Sequence, residues 1–278
     1  MNLKGLALLI AIGSIMLMSC SENDPLPESG PNPNAAIVVE DAEINAAFTD
    51  TDNVVLIALQ ANRLGFSTEG NFFGDLCDDA EVTHFPENKR IIVDFGDGCT
   101  SANGITRKGR LFINYTGMIF FPTASVTVNF QDYFVNGVKI EGSRVTTNKG
   151  IDLNYMTMTF ETKVDKGKLT WSDGSQSSVT INHNRKFFMP NQDQGIRAEI
   201  TGSSSVKSRM GVDFTSEIYY PLEFVQTCTN SGNWIPSKGI SFILVSQSFL
   251  FEVDYGQGIC DREIQVRLEG ETITLTLD

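Results

Sequence analysis

Residues 125–142 read SVTVNFQDYFVNGVKIEG. Val126, Val128 and Phe130 alternate with Thr127 and Asn129, which places apolar side chains on one face of an extended strand and polar ones on the other. Asn136-Gly137 then interrupts the pattern with the residue pair best able to take the positive φ angles of a two-residue hairpin turn. The segment therefore reads as strand, tight turn and returning strand. The same alternation recurs at Ile196/Ala198/Ile200, Ile264/Val266/Leu268 and Ile273/Leu275/Leu277, and further turn signals stand at Lys166-Gly167 and Asp173-Gly174. Connections this short join neighbouring strands antiparallel, and no strand–helix–strand spacing follows residue 89, so doubly wound folds are excluded. The expected class is mainly β, a long antiparallel meander with sandwich-like sheets.

Outward from that segment, Ile151–Thr162 (IDLNYMTMTFET) carries Ile, Leu and Tyr on one face and Met, Met and Phe on the other. It reads as one strand covered on both sides, by a second sheet or by a helix. Helical spacing is confined to Glu40–Asn62, where Ile44, Ala47, Phe48, Val55, Ile57, Ala58 and Leu59 recur. One or two short helices are expected within a helical region at 36–75. Asp50-Thr51-Asp52 is a candidate N-cap cluster for the second of them. The β domain then occupies 76–278, with room for two sub-halves meeting near 190–210.

The chain has 278 residues, 41% of them hydrophobic, enough to build a core and too many for a disordered chain. Its net charge of −13 argues against a nucleic-acid surface, which needs clustered Lys and Arg. Phosphate loops, dinucleotide fingerprints and basic stripes do not occur.

Residues 1–20 read MNLKGLALLIAIGSIMLMSC. Lys4 precedes an apolar run from Leu6 to Met18, the layout of a secretory signal, and the run is short of the ~18–20 residues a bilayer span needs. Leu17-Met18-Ser19-Cys20 resembles the bacterial lipobox. That resemblance implies a signal peptide at 1–19, cleavage before Cys20, and attachment to the membrane by acyl chains on Cys20, with a net charge of −14 once Lys4 is lost. Ser21-Glu22-Asn23-Asp24 resembles the export signal of Bacteroidetes surface lipoproteins, which implies a place on the outer membrane facing the cell exterior. Pro25, Pro27, Pro31 and Pro33 mark residues 20–35 as a disordered tether.

Two segments repeat. Val93-Asp94-Phe95-Gly96-Asp97-Gly98-Cys99 parallels Val253-Asp254-Tyr255-Gly256-Gln257-Gly258-Ile259-Cys260, and each follows another cysteine, Cys77 and Cys228 respectively. Four cysteines allow three connectivities. The repeated layout favours the local pairs Cys77–Cys99 and Cys228–Cys260, and export makes disulfides chemically permitted. The run VDFGDGCTSANGITRKGRLFINYTG (93–117), the segment YFVNGVKIEG and the terminal VDYGQGICDREIQVRLEG together resemble an uncharacterised family of β-rich Bacteroidetes lipoproteins. The resemblance implies location and architecture and brings no reaction. Asp94–Gly98 also resembles the turn of polycystic-kidney-disease β-sandwich repeats, with Val93 where those carry Trp.

Catalytic candidates are few. His84 lies in a polar stretch and His183 on a strand, and neither stands beside a nucleophile or at a metal-ligand spacing from a second donor. Asp75, Asp78 and Asp79 flank Cys77, while Asp94 and Asp97 precede Cys99. If those cysteines pair, the acids converge, and Asp78, Asp79 and Asp97 become candidates for a Ca²⁺ site; no other cofactor is implied. Phe120, Phe121, Trp171, Tyr219, Tyr220 and Trp234 could line a glycan or peptide surface. The reading that follows is an anchored envelope lipoprotein with a binding or structural role toward an envelope protein or glycan. The alternatives are a glycan-acting hydrolase with a carboxylate pair and a carbohydrate-binding accessory protein.

Overall fold

Alternation of apolar and polar side chains builds 14 strands among the described residues, and all of them join one antiparallel sheet in this computed structural model. The structure describes residues 33–65, 75–189, 195–231, 233 and 235–277. Residues 1–19, read above as a signal peptide, Cys20, residues 21–32 of the stretch read as a tether, and Trp234 lie outside them. The strands are β1 (Glu81–Phe85), β2 (Arg90–Asp94), β3 (Cys99–Thr100), β4 (Thr106–Tyr115), β5 (Ser125–Val135), β6 (Val138–Asp152), β7 (Thr157–Thr170) and β8 (Gln176–Phe188). There follow β9 (Arg197–Lys207), β10 (Asp213–Val225), β11 (Lys238–Val245), β12 (Phe249–Gln257), β13 (Glu263–Leu268) and β14 (Glu271–Thr276). Each strand bonds the next in the chain from β4 to β14, β1–β2 extends the sheet beyond β4, and the two-residue β3 pairs with β4. The meander is not closed into a barrel.

The partner layer is a helix. A single helix, α1 (Pro33–Ala61), replaces the one or two short ones expected. Nothing in it breaks the run, because no Gly or Pro follows Pro33 before residue 61. Pro33 falls inside the stretch read as tether. It occupies the first helical position, where its missing N–H would have had no intrahelical partner in any case. All nine residues from Ala47 to Val55 are buried, about two and a half turns, so no face of the helix meets solvent there. The sheet must therefore curl around α1.

Bulges supply the curl. Register shifts interrupt β4–β5 between Lys108 and Arg110, β6–β7 between Glu141 and Ser143, β7–β8 between Val164 and Gly167, and β10–β11 between Ile218 and Tyr220. Each bulge bends its strand and adds twist. Gly109, at φ +82, passes so close to the β5 backbone that a Cβ there would sit 1.9 Å from the Asp132 carbonyl oxygen. Gly239 is held likewise against Pro221. Lys166-Gly167 is one of these bulges within β7 and not the hairpin turn its sequence suggested. Asn136-Gly137 and Asp173-Gly174 are turns as read, the former with φ of 48° and 81°.

Ile151–Thr162 is likewise not one strand. Leu153 to Met156 form the turn between β6 and β7, and the residues taken as a doubly covered strand belong to two different strands. At the boundary expected between two sub-halves, β9 bonds β8 on one side and β10 on the other, so these three strands share one sheet. Inward-facing Leu111, Ile113, Val126, Ile140, Leu169, Val179, Phe251 and Val253 form the core with Ile44, Phe48, Val54 and Leu59 of α1.

Candidate functional site

The interior is crossed by charge. On α1, Asp50 and Asp52 are buried at mid-helix and not at a cap, so the N-cap reading of Asp50-Thr51-Asp52 is replaced by a pairing role. Asp50 receives two hydrogen bonds from Arg107 of β4, from Nε at 2.8 Å and Nη2 at 2.5 Å. Asp52 receives Arg144 of β6 at 2.5 and 2.6 Å and lies 2.9 Å from Arg185 of β8. Burial alone would raise the Asp52 carboxyl. The two guanidinium charges outweigh it and hold the carboxyl below its usual range. Glu40 accepts from Ser177 Oγ at 2.5 Å and from the Arg209 backbone N–H at 2.9 Å, while Trp171 Nε1 donates to Glu43 at 3.0 Å. His183 stands beside this seam, and burial with the nearby Arg144 and Arg185 pushes it down to about 3, so it is neutral at physiological pH.

These pairings fix the helix in the sheet, and Asp50, Asp52, Arg107, Arg144 and Arg185 are all buried, while Glu43 is exposed. Sequence reasoning missed them because Arg107, Arg144 and Arg185 look like ordinary strand surface residues. One signal was present: Ile181, His183, Arg185 and Phe187 share one face of β8, so Arg185 falls at a position the period assigns to the core.

The acids flanking the first disulfide do not assemble. Cys77 and Cys99 are bridged, as are Cys228 and Cys260, with Cα separations of 5.9 and 5.1 Å. Yet among the described residues no three His, Cys, Asp or Glu side chains come together in a metal-binding group. Asp78, Asp79 and Asp97 are exposed and do not form the Ca²⁺ cluster their spacing suggested. Asp94 instead accepts the Gly96 N–H at 2.9 Å and pairs with Arg110, both of which hold its carboxyl below the usual range. His84 lies on β1 and hydrogen-bonds the Tyr115 hydroxyl at 2.7 Å.

Two surfaces stand out. The first is a groove of about 550 Å³ on the outer face of β7–β11. Successive strands align their outward residues in rows, Lys168–Ser178–Lys207–Asp213 and Thr180–Ser205–Thr215–Leu244. Lys166, Ser246 and Gln247 join the lining, together with Gly167 and the apolar Val179, Val206 and Phe214. Three lysines and five hydroxyls thus face one concavity that holds a single carboxylate, on a chain whose net charge is −13. A second carboxylate, Glu141, approaches Lys168 at 2.7 Å from outside the groove.

The second surface is apolar. The β6–β7 turn exposes Leu153 (76%) and Tyr155 (74%) beside Ile151 and Met156. The β4–β5 loop brings Met118 and Phe121 to the same end of the sheet. It is tied to β6 by the Thr123 N–H donating to the Asn148 carbonyl at 2.9 Å and by Asn148 Nδ2 donating to the Ile119 carbonyl at 2.8 Å. Of the aromatic candidates, Phe121, Tyr219 and Tyr220 are exposed, while Phe120 is half-buried and Trp171 is buried.

Comparison of the chain with protein-family models, curated proteins and solved structures finds no match in any of the three. No helix among the described residues is long and apolar enough to cross a membrane.

Proposed function

We propose that this chain is a lipid-anchored envelope protein whose β domain binds an acidic glycan in the outer groove of β7–β11. The lipobox-like segment at Cys20 supports the anchor, and the Ser-Glu-Asn-Asp stretch after it supports display on the cell surface. The observation that carries the binding role is the lysine and hydroxyl lining of the groove. An otherwise acidic protein repels anions at long range, so three lysines gathered in one concavity form a local exception. Hydroxyl rows at strand spacing match a polyhydroxylated chain, and the ammonium groups match its carboxylates or sulfates.

The test is titration of the detergent-solubilised protein with polygalacturonate, heparin and dextran by calorimetry. Binding to either acidic polymer, absent for dextran and abolished by Lys166→Glu with Lys207→Glu, is the expected outcome. Equal binding of dextran, or none of any polymer, would refute it.

A second reading rests on the apolar end of the sheet. Solvent-exposed Leu153 and Tyr155 next to Phe121 and Met118 form a patch of the kind that marks a protein–protein contact. On this reading the domain also docks another envelope protein. Cross-linking from a photoreactive residue at position 153 in intact cells checks it, and only a neighbour lost on Tyr155→Ser would support it.

A further inference from the structure

Between α1 and the sheet lies a cavity of about 40 Å³, separate from the outer groove. Its polar wall is made by Arg144 of β6 and by His183 and Arg185 of β8, and its apolar wall includes Ile181, Leu222 and Phe224. Arg144 is 3% exposed and uses Nε and Nη2 on Asp52. Among the described residues its Nη1 has no hydrogen-bond partner. A buried guanidinium N–H without an acceptor is costly, and native structures nearly always supply one.

The charges at this place do not balance. Arg144 and Arg185 both address one carboxylate, Asp52, so two cations share a single anion in the interior. The imidazole of His183 is neutral and contributes none. Phe48 lies under the Arg144 guanidinium, 5.2 Å from its ring centroid, and a ring face attracts the cation without accepting the Nη1 proton in the guanidinium plane. Of the other acids on α1, Asp50 is held by Arg107 and Glu43 by Trp171. Asp41 is turned toward Ser216 of β10 and Tyr255 of β12, where burial raises it to about 7. It therefore supplies at most a partial charge, and not at this guanidinium. A water would satisfy the N–H but leave the net positive charge.

We propose that the cavity binds a small monovalent inorganic anion, chloride in a saline environment, held by Arg144 Nη1 and Arg185. Size points the same way. One water needs about 10–15 Å³ of such space, so the cavity admits a halide and excludes a lipid chain or a sugar. The anion would complete the seam that fixes α1 within the sheet, and it would couple folding to chloride.

The full-length protein in detergent is melted across a chloride series in which sodium gluconate holds the ionic strength constant. Gluconate is too large for the cavity, and as a well-hydrated organic anion it stabilises proteins nonspecifically, so it biases against the expected result. Saturable stabilisation is expected, with Tm rising by roughly 5–10 °C when chloride reaches 100 times its dissociation constant. A bromide-soaked crystal should show an anomalous peak within hydrogen-bond distance of Arg144 Nη1. Arg144→Gln, if it folds, should lose the chloride-dependent increment. Identical Tm values in the two salts would overturn the proposal. So would a bromide-soaked crystal with only a water at Nη1, or an Arg144→Gln protein that keeps the full chloride response.

Discussion

The two cysteine repeats share an aspartate–glycine contact and a disulfide, yet they leave that contact differently and meet the helix in opposite electrical states. The Gly98 N–H closes a turn onto the Phe95 carbonyl, whereas Gly256 and Gln257 stay in β12 and the Gly258 N–H bonds the Ser237 carbonyl. In the first, the Asp94 side chain accepts the Gly96 N–H at 2.9 Å, and in the second Asp254 accepts that of Gly256 at the same distance. Each repeat buries the aromatic residue that precedes its glycine, Phe95 in one and Tyr255 in the other. Each repeat closes a disulfide to a cysteine upstream. There the likeness ends. Phe95 packs beside Arg107, whose guanidinium lies 5.9 Å from the ring centroid and pairs with Asp50 of α1. Tyr255 faces Asp41 of α1, which is held by the Ser216 hydroxyl at 3.2 Å and has no paired cation among the described residues. Burial, reinforced by Glu40, therefore raises Asp41 to about 7, and burial with the Asp41 charge raises the Tyr255 hydroxyl well above its ordinary value. One copy of the motif sits against a completed ion pair and the other against an acid that folding prefers to protonate. A shared sequence motif thus says nothing about the charge it will meet across the core.

The largest expected effect breaks the first side of this contrast. Arg107→Met leaves Asp50 buried without its partner, and removing one member of a buried pair costs about 3–5 kcal/mol. Burial lowers the Arg107 guanidinium, but the hydrogen bond and charge of Asp50 more than offset this and hold it above its ordinary range. Urea denaturation measures the loss, and a change below about 1 kcal/mol would mean that the seam does not hold the helix.

Removing the disulfides tests the part in which the repeats are alike. Cys77→Ser with Cys99→Ser, and Cys228→Ser with Cys260→Ser, are each expected to cost about 3–4 kcal/mol in the chain-entropy picture, nearly equally because the sequence separations are 22 and 32. Thermal melts of the two double variants make the comparison. Peptide mapping without reductant checks the pairing itself, and a link from Cys77 to Cys228 or Cys260 would contradict it.

The smallest effect sharpens the second side. An acid whose pKa is raised from 3.8 to about 7 on folding binds its proton more tightly in the native state, so stability falls as pH rises through that window and levels off above it. Asp41→Asn keeps an acceptor for Ser216 and removes the charge. It is expected to stabilise the protein at pH 8 by on the order of 2 kcal/mol and to leave it unchanged near pH 3. Urea midpoints at the two pH values decide this, and an equal shift at both would show that the charge is not responsible.

How far each feature could be read in advance follows from the range of the forces behind it. The strands were legible because a half-buried strand must alternate, and the turn at Asn136-Gly137 because few other residue pairs tolerate its φ angles. Lys166-Gly167 carries an equally good turn signal and became a bulge. The strand on either side of it keeps pairing with β6 and β8, and nothing local reports that. The helix was misjudged because its periodicity is blurred. A helix enclosed on all sides needs no polar face, and its acids are placed by arginines 57 and 92 residues away, as in Asp50–Arg107 and Asp52–Arg144. The outer groove escaped for a related reason. Lys168, Ser178, Lys207 and Asp213 are far apart in the chain and become neighbours only through cross-strand register.

What the sequence determined by itself is the antiparallel β class, the hairpin turn at Asn136-Gly137 and the local pairing of the cysteines. These depend on contacts between residues close in the chain and on a period that burial imposes on every strand. The Gly-x-Gly of the first repeat makes a turn, while that of the second continues β12 as far as Gln257. Only the tertiary structure decided that the sheet curls around one long helix, which arginine meets which acid, and where lysines and hydroxyls gather on the outside. Those outcomes depend on the bend accumulated over many bulges and on the register of strands across the whole sheet, quantities that no single segment carries.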